Sequence, residues 1–141
     1  MENGKTYDMP YVGCLMGSAF QRLTTQLETT LKRDGLNITA AEYMILRALY
    51  SHDDLQQCEI VEMVGKDKSS ICRSVAALAK KGYVNTESVS YKCIRVRLSD
   101  KARKAEPLIM QIAAERHKAL MDLASSKDIE AFVRVLKAIV G

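Results

Sequence analysis

The sequence predicts a mainly α-helical protein with a small β-hairpin, in which long helices stand at both ends of a single domain of 141 residues. The spacing of apolar residues supports this prediction in two ways. Through most of the chain they recur every three or four positions, which is typical of amphipathic helices. Between Tyr83 and Leu98 the spacing changes to two, which is typical of strands.

The composition agrees with a folded domain, since 48% of the residues are apolar and 27% are charged. The chain has no run of about 18 apolar residues, so we expect no membrane span. The first ten residues, MENGKTYDMP, lack the basic and apolar segments of a secretory signal. We therefore expect a cytoplasmic protein.

The first helix is expected over residues 9–34, opening near Pro10 and closing before Gly35. An apolar stripe recurs along it every four residues and consists of Tyr11, Leu15, Ala19, Leu23, Leu27 and Leu31. So long a stripe carries more apolar surface than one small domain covers. We therefore expect a partner to cover part of it.

The second and third helices have recognisable ends. Thr39 stands three residues before Glu42 in a capping-box pattern, and we expect the helix that it starts to end near Ser51, before a polar break. A short third helix is expected from about residue 56 to residue 64. Gly65 then ends it, because glycine adopts the left-handed conformation that commonly follows a helix.

The fourth helix can be capped by Asp67 and ends before Gly82. Its inner face is expected to hold Ile71, Val75 and Leu78. The third and fourth helices are short and are joined by a tight turn that contains glycine. This arrangement is the helix-turn-helix pattern.

A basic β-hairpin is expected next. Val84-Asn85-Thr86 can extend as its first strand, and residues 88–92 form the connecting tip. In the second strand Ile94, Val96 and Leu98 should face the core, while Arg95 and Arg97 face water or phosphate. A hairpin directly after a helix-turn-helix is a wing, so the sequence predicts a winged helix-turn-helix.

Two further helices complete the chain. Ser99 or Asp100 can cap a long helix that extends to about Ala124, and a second helix start follows at Ser125. The last helix has an apolar face made of Ile129, Phe132, Val133, Leu136, Ile139 and Val140.

Charge is distributed unevenly along the chain. Between Lys66 and Lys104 there are 11 Lys or Arg and three acidic residues, a net charge of +8, whereas the rest carries 10 basic and 14 acidic residues. A strongly basic segment in an otherwise acidic protein indicates a face that binds polyanions. The alternative is a solvated surface on which the charges cluster by chance.

The order of these elements resembles the MarR family of bacterial regulators over nearly the whole chain. The most specific stretch comprises residues 60–73 and 78–84, and it includes the Asp-x-Ser start of the recognition helix at Asp67 and the arginine at Arg73. Residues 97–99 resemble the end of the family's wing. The chain departs from the family where Ser90 and Lys92 replace a common Asp-x-Arg motif, and where Ala102 replaces a glycine.

The resemblance implies a homodimeric, sequence-specific DNA-binding regulator that represses a nearby gene until a small-molecule effector releases it. Residues 36–100 would form the DNA-binding lobe, residues 9–34 and 101–141 would form the dimerisation helices, and the partner would be a palindromic double-stranded operator. The expected dimer contacts are Tyr11, Leu15, Leu23, Phe132, Leu136 and Ile139.

The expected DNA contacts lie in the recognition helix and the wing. The first turn of the helix offers N–H groups and a positive dipole end, Arg73 has the reach for a guanine edge, and the basic residues of the wing can neutralise phosphates. Lysine at position 92 is a point charge without the bidentate fork of arginine. The full set is Asp67, Lys68, Ser69, Ser70, Arg73, Ser74, Lys92, Arg95 and Arg97.

The resemblance also implies a site for a small aromatic or lipophilic effector. Family members commonly bind such ligands between the dimer helices and the DNA-binding lobe. The residues suggested for its lining are Phe20, Met44, Arg47 and Met110.

Catalysis, metal binding and cofactor binding are not expected. The sequence has no phosphate-binding loop, nucleophile triad or paired carboxylates, so we expect no enzyme. The four cysteines form no Cys-x-x-Cys pair and the chain has two histidines, so we expect neither a zinc site nor a bound cofactor. Most of the cysteines are expected to be small buried hydrophobes.

Two alternative functions remain open from the sequence. One is a winged-helix module that binds proteins and not DNA. The other is a redox-sensing repressor that uses Cys14, which stands near the start of the first helix, where peroxide-sensing MarR-type regulators keep their reactive cysteine. Arg22 follows at a similar spacing, and Tyr7 and Tyr11 are close enough in sequence to hydrogen-bond a thiolate.

Overall fold

A computed structural model of the chain describes residues 11–141, which form six helices and three strands. In chain order they are α1 (Val12–Arg33), α2 (Ala40–Ser51), β1 (Asp54–Gln56), α3 (Gln57–Val64), α4 (Lys68–Lys80), β2 (Val84–Ser90), β3 (Cys93–Leu98), α5 (Asp100–Met121) and α6 (Ser126–Val140). The predicted mainly α-helical fold with a winged helix-turn-helix is confirmed.

The chain divides into two compact units, of which the first ends at Arg103 and the second comprises Lys104–Gly141. The core of the first unit contains the fully buried side chains of Leu31, Ile45, Leu46, Leu49, Ile60, Ile71, Leu78 and Val96. Burying one such side chain contributes about 1.5–3 kcal/mol. These side chains come from α1, α2, α3, α4 and β3, and together they fix the helix-turn-helix and the base of the wing.

The second helix begins as the sequence predicts. Thr39 Oγ1 accepts from Glu42 N at 3.1 Å, and Thr39 N donates to Glu42 Oε1 at 3.0 Å, which completes a capping box. The predicted start of the first helix at residue 9 and the predicted opening near Pro10 lie outside the described residues.

The helix-turn-helix is also formed as predicted. Gly65 ends α3 with φ 76°, a left-handed conformation that favours glycine. The Asp67 side chain caps α4 by accepting from Ser70 N. The inner face of α4 is apolar and contributes Ile71, Val75 and Leu78 to the core.

The sheet is larger than the predicted hairpin. It has three antiparallel strands in the order β1-β3-β2, and β1 pairs with β3 in the register Asp54↔Arg97, Leu55↔Val96 and Gln56↔Arg95. The sequence prediction treated residues 52–54 as a polar break and began a helix near Gln56, so it missed β1. A three-residue strand with one buried side chain has no periodicity to detect, and its partner strand lies about 40 residues further along the chain.

The tip of the wing is shorter than expected. The first strand continues to Ser90, which pairs with Cys93, so the turn consists of Tyr91 and Lys92. Lys92 has φ 70°, in the left-handed region that non-glycine residues seldom adopt. A register shift between Ser88 and Ser90 forms a bulge just before this turn.

In the second unit, α5 ends at Met121, earlier than the expected Ala124, and Pro107 lies inside it. Ser125 caps α6 and its side chain accepts from Asp128 N at 3.2 Å, as predicted. The last helix contributes no buried side chain, and its apolar residues Phe132 and Ile139 are 54% and 58% exposed.

The prediction that most cysteines are buried is wrong. Cys14 and Cys58 are exposed, and Cys72 and Cys93 are partly exposed. Cys58 lies on the outer side of α3, because Gln57 and Ile60, three residues apart, form the buried side of this helix. Gln57 Nε2 donates a hydrogen bond to Cys72 Sγ, and the two atoms are 2.8 Å apart.

Candidate nucleic-acid interface

A chain of hydrogen bonds orders the exposed side of the first turns of α4. Ser70 N donates to Asp67 Oδ2 at 3.1 Å, and Ser70 Oγ donates to Asp67 Oδ1 at 2.6 Å. Arg73 Nη2 then donates to Ser70 Oγ at 3.3 Å. Because Asp67 also caps the helix, the guanidinium of Arg73 is tied to the rigid start of α4.

The same hydrogen bonds favour the ionised form of Asp67. The side-chain and backbone hydrogen bonds from Ser70 hold the pKa of the Asp67 carboxyl below its ordinary value, because they stabilise the ionised form. The cap is therefore a carboxylate at neutral pH. Its negative charge is well placed at the positive N-terminal end of the α4 dipole.

Most of the predicted recognition-helix residues lie on one accessible surface. Lys68, Ser69 and Arg73 are exposed, and Ser70 and Ser74 are half-buried. A groove of about 390 Å³ runs between the start of α2 and α4, and it is lined by Thr39, Ala41, Glu42, Lys66, Ser70, Arg73, Ser74 and Ala77. The groove brings Lys66, which the sequence analysis did not single out, to the same surface as Arg73.

The two wing arginines share one carboxylate. Arg95 Nε lies 3.3 Å from Asp54 Oδ1, and Arg97 Nε lies 3.4 Å from Asp54 Oδ2. Arg97 and Asp54 are direct partners in the register of β3 and β1. The sequence did not predict the role of Asp54, because the position of Asp54 beside the wing depends on the short strand β1. Both arginines were predicted to face water or phosphate.

The tip of the wing presents an aromatic ring and a lysine. Tyr91 is 89% exposed, and Lys92 Nζ lies 5.3 Å from the centroid of the Tyr91 ring. This separation allows a cation–π contact. Lys92 is exposed, as its predicted role at the tip requires.

Several cations of the basic segment are engaged within the protein. Lys81 Nζ donates to Glu42 Oε1 at 2.7 Å, and Arg103 Nη2 donates to Asp53 Oδ1 at 2.6 Å. Lys101 Nζ lies 4.6 Å from the centroid of the Tyr83 ring. The net charge of +8 on residues 66–104 therefore overstates the positive charge available to a polyanion.

The residues suggested for an effector site lie on different elements. Phe20 on α1 is exposed, with Lys66 Nζ at 5.9 Å from its ring centroid. Arg47 on α2 donates to Tyr43 Oη at 3.2 Å, and its guanidinium lies 5.8 Å from the Tyr43 ring centroid. Met44 on α2 and Met110 on α5 are exposed.

The residues suggested for dimerisation are accessible to different degrees. Four of them are exposed, namely Tyr11, Leu15, Phe132 and Ile139. The other two are half-buried, namely Leu23 and Leu136. Cys14 is also exposed, two residues after the start of α1, while Tyr7 lies outside the described residues.

Residues 11–141 contain neither a candidate metal cluster nor a helix that could span a membrane. In this part of the chain no three His, Cys, Asp or Glu side chains are grouped so that they could hold a metal ion. Among the same residues no helix combines the length and apolar character needed to cross a membrane.

A comparison with protein families matches residues 36–90 to the model of the MarR family. Residues 36–90, which are 55 of the 141 residues, therefore resemble the MarR family, and the fold of the chain is a winged helix. The matched residues contain α2, β1, α3, α4 and β2, so they include the predicted DNA contacts of α4 but not Lys92, Arg95 and Arg97 of the wing. The resemblance predicted from residues 60–73 and 78–84 is therefore confirmed.

Solved structures of MarR-type regulators share the fold over most of the chain. A MarR transcriptional regulator from Methanosarcina mazei is 21% identical, with a TM-score of 0.76 over 92% of this chain and 87% of that one. Bordetella bronchiseptica BpsR is 18% identical, with a TM-score of 0.80 over 97% and 99%. A mutant MarR from E. coli complexed with operator DNA is 17% identical, with a TM-score of 0.81 over 96% and 97%.

The curated proteins contain no match to the chain.

Proposed function

We propose that this MarR-type protein is a DNA-binding transcriptional regulator that inserts α4 into the major groove of a duplex operator. The observation that carries the proposal is the hydrogen-bonded chain from Asp67 through Ser70 to Arg73. It holds one guanidinium on the exposed side of a short helix, one turn from the N-terminal end. The operator complex of the E. coli MarR neighbour supports the proposal by its likeness of fold.

Arg73 is the proposed base-reading residue. A guanidinium can donate two parallel hydrogen bonds to O6 and N7 of guanine, the commonest specific contact in the major groove. The ammonium of Lys68 and the hydroxyls of Ser69 and Ser74 lie on the same helix, and they can donate to phosphate oxygens or base edges. The first turn of α4 adds the positive end of the helix dipole.

The wing is proposed to bind phosphates. Lys92 stands at an exposed two-residue turn, and Arg95 and Arg97 follow on β3. Lys92 lies at the tip of the β2–β3 hairpin and the two arginines lie at its base, and all three cations can neutralise backbone charge without reading sequence.

We propose further that the protein acts as a homodimer. The apolar face of α6 is unburied in its own unit, and Tyr11, just before α1, and Leu15, in its first turn, are exposed. Covering such faces against a second copy would remove apolar surface worth about 25 cal/mol per Å². A two-fold dimer would also bring two recognition helices to successive major grooves of a palindrome.

We propose that the protein lies in the cytoplasm and represses a nearby gene. A small aromatic or lipophilic effector would relieve the repression. The DNA binding of the neighbour BpsR is regulated by 6-hydroxynicotinic acid, an aromatic acid. The exposed ring of Phe20, with the Lys66 ammonium 5.9 Å from its centroid, has the chemistry to bind a ligand of this class.

The test begins with selection of a preferred duplex from a random-sequence library. Arg73→Ala and Lys92→Ala are then titrated on the selected and on a random duplex across a salt series, with Lys32→Ala, at the end of α1, as a charge-matched control. Arg73→Ala should weaken the selected duplex by about 1–3 kcal/mol and relax preference at one base pair of each half-site. Lys92→Ala should weaken both duplexes by similar factors and reduce the salt slope by about one phosphate contact per chain.

Each result bears on a different part of the proposal. Equal weakening of both duplexes by Arg73→Ala would make Arg73 a phosphate contact and move base reading to Lys68, Ser69 or Ser70. No binding of either duplex by the wild-type protein at low salt would contradict DNA binding, and it would favour a winged-helix module that binds proteins.

Redox sensing through Cys14 is a second candidate function. The observation in its favour is the exposure of Cys14 near the start of α1, where a hydroperoxide can reach the thiol. The role would be added to DNA binding, because oxidation would release the repressor from its operator.

A further inference from the structure

Asp54 lies beside the wing and contacts both of its arginines. It begins β1, and its two carboxylate oxygens lie 3.3 Å from Arg95 Nε and 3.4 Å from Arg97 Nε. Arg95 and Arg97 are two residues apart on β3, so their side chains project from the same face of the sheet. One negative charge therefore bridges two positive charges at the base of the wing.

This bridge contributes little to the stability of the fold. The side chains of Asp54 and Arg97 are 41% and 52% exposed, and exposed ion pairs are weakened by solvent. Around the bridge, β1 is already held by its pairing with β3 and by the buried side chain of Leu55. The main effect of Asp54 is therefore on the electrostatic potential and the orientation of the two guanidinium groups.

Both contacts use Nε, and this leaves the rest of each guanidinium able to bind another anion. A guanidinium has five N–H donors, so four remain on each arginine when Nε faces Asp54. A DNA phosphate that approaches these donors is also repelled by the negative charge of Asp54, which lies behind them. Attraction of the wing for any phosphate is thus reduced, while the two guanidinium groups are held as a fixed pair.

We propose that Asp54 is a specificity-determining residue of the DNA interface, an inference that rests on the proposed DNA-binding function. Binding to random DNA depends almost wholly on phosphate neutralisation, whereas operator binding adds base contacts from α4. The charge of Asp54 weakens phosphate binding on both duplexes by similar factors. The fixed geometry that Asp54 gives Arg95 and Arg97 offsets part of this loss on the operator alone, where α4 holds the wing in one register. Asp54 raises the ratio of the two affinities without touching a base.

Asp54→Asn tests this role, because it removes the charge and keeps the size of the side chain. On a random duplex at low salt we expect its affinity to rise by about 3–10-fold, with a salt slope steeper by about one phosphate contact per chain. On the duplex selected by the wild-type protein the gain should be smaller, since the fixed arginine pair is lost. The ratio of operator to random affinity should fall.

Asp53→Asn is the matched control. Asp53 is the neighbouring carboxylate, and its Oδ1 pairs with Arg103 Nη2 at 2.6 Å. Asp53→Asn changes the net charge by the same amount as Asp54→Asn. We expect Asp53→Asn to leave the ratio of operator to random affinity near the wild-type value. In the double variant Asp54→Asn with Arg95→Gln, the gain on random DNA should be largely lost.

The outcomes separate this inference from the proposed function. An equal effect of Asp54→Asn and Asp53→Asn, or weaker binding of both duplexes by Asp54→Asn, would overturn the inference while leaving wild-type DNA binding intact. Failure of the wild-type protein to bind either duplex would overturn the proposed function and the inference together. Thermal melts of the variants check that each is folded.

Discussion

The carboxylate of Glu42 and the ammonium of Lys81 are joined by a 2.7 Å hydrogen bond, although Glu42 is only 4% exposed. The same oxygen, Glu42 Oε1, also accepts from Thr39 N. Glu42 therefore links the first turn of α2 to the residue that ends α4.

Replacing Glu42 should destabilise the protein substantially. Glu42→Ala leaves the ammonium of Lys81 without its carboxylate and removes half of the capping box, so the free energy of unfolding should fall by about 2–4 kcal/mol. Glu42→Gln, which keeps an oxygen for Thr39 N, should cost less than Glu42→Ala. Urea denaturation measures both. Glu62→Ala, at an exposed position of α3, should stay within about 0.5 kcal/mol of wild type, and an equally small effect of Glu42→Ala would contradict the assignment.

The cap of α4 should make stability depend on pH. The folded-state pKa of Asp67 lies below the unfolded one, so its stabilising effect is complete above the unfolded pKa, about 3.9, and is lost as pH falls through the folded pKa. Asp67→Ala should lower the thermal midpoint by a few degrees at neutral pH, and the difference from wild type should shrink in strong acid. Circular dichroism melts across this range measure it. Ser125→Ala, which removes the uncharged cap of α6, should show a difference that does not change with pH.

The proposed dimer can be tested by light scattering at micromolar concentration, which should give about twice the chain mass of 15.7 kDa. Phe132→Asp puts a charge on the exposed apolar face of α6 and should shift the protein toward the monomer, because a buried unpaired carboxylate is costly. Lys127→Asp, on the polar first turn of the same helix, should remain dimeric. A wild-type protein of single-chain mass would refute the proposal.

The redox proposal predicts a response that depends on one thiol. Hydroperoxide should release the wild-type protein from its selected duplex and leave Cys14→Ser bound, while Cys58→Ser, which removes another exposed cysteine, should behave like wild type. Anisotropy of a labelled duplex measures release. If Cys14→Ser is released as readily as the wild type, or if no form is released, Cys14 is not the sensor.

The sequence predicts well those features that depend on residues close together in the chain. The capping box of Thr39 and Glu42, the left-handed Gly65 and the cap at Asp67 are local, and each was identified correctly. The MarR resemblance follows from a contiguous stretch around Asp67, which explains why it could be recognised.

The features that were missed depend on contacts between distant segments. The strand β1 exists because it pairs with β3, and only that pairing brings Asp54 to Arg95 and Arg97. The partner of Lys81 is 39 residues away in sequence. The burial of Cys58 was predicted from its apolar character, whereas the actual inner face of α3 includes the polar Gln57.

The pairing of β1 with β3 divides the wing into two mechanical parts. From Arg95 to Arg97 the second wing strand is flanked on both sides, whereas between Cys93 and the Tyr91–Lys92 turn the wing is a two-stranded ribbon. Isolated two-stranded ribbons are only marginally stable, so bending and twisting are concentrated in the outer part. In the proposed DNA complex the outer ribbon would be the part that adjusts to the shape of the duplex, while the stiff base would keep Arg95 and Arg97 at a constant distance from the helix-turn-helix.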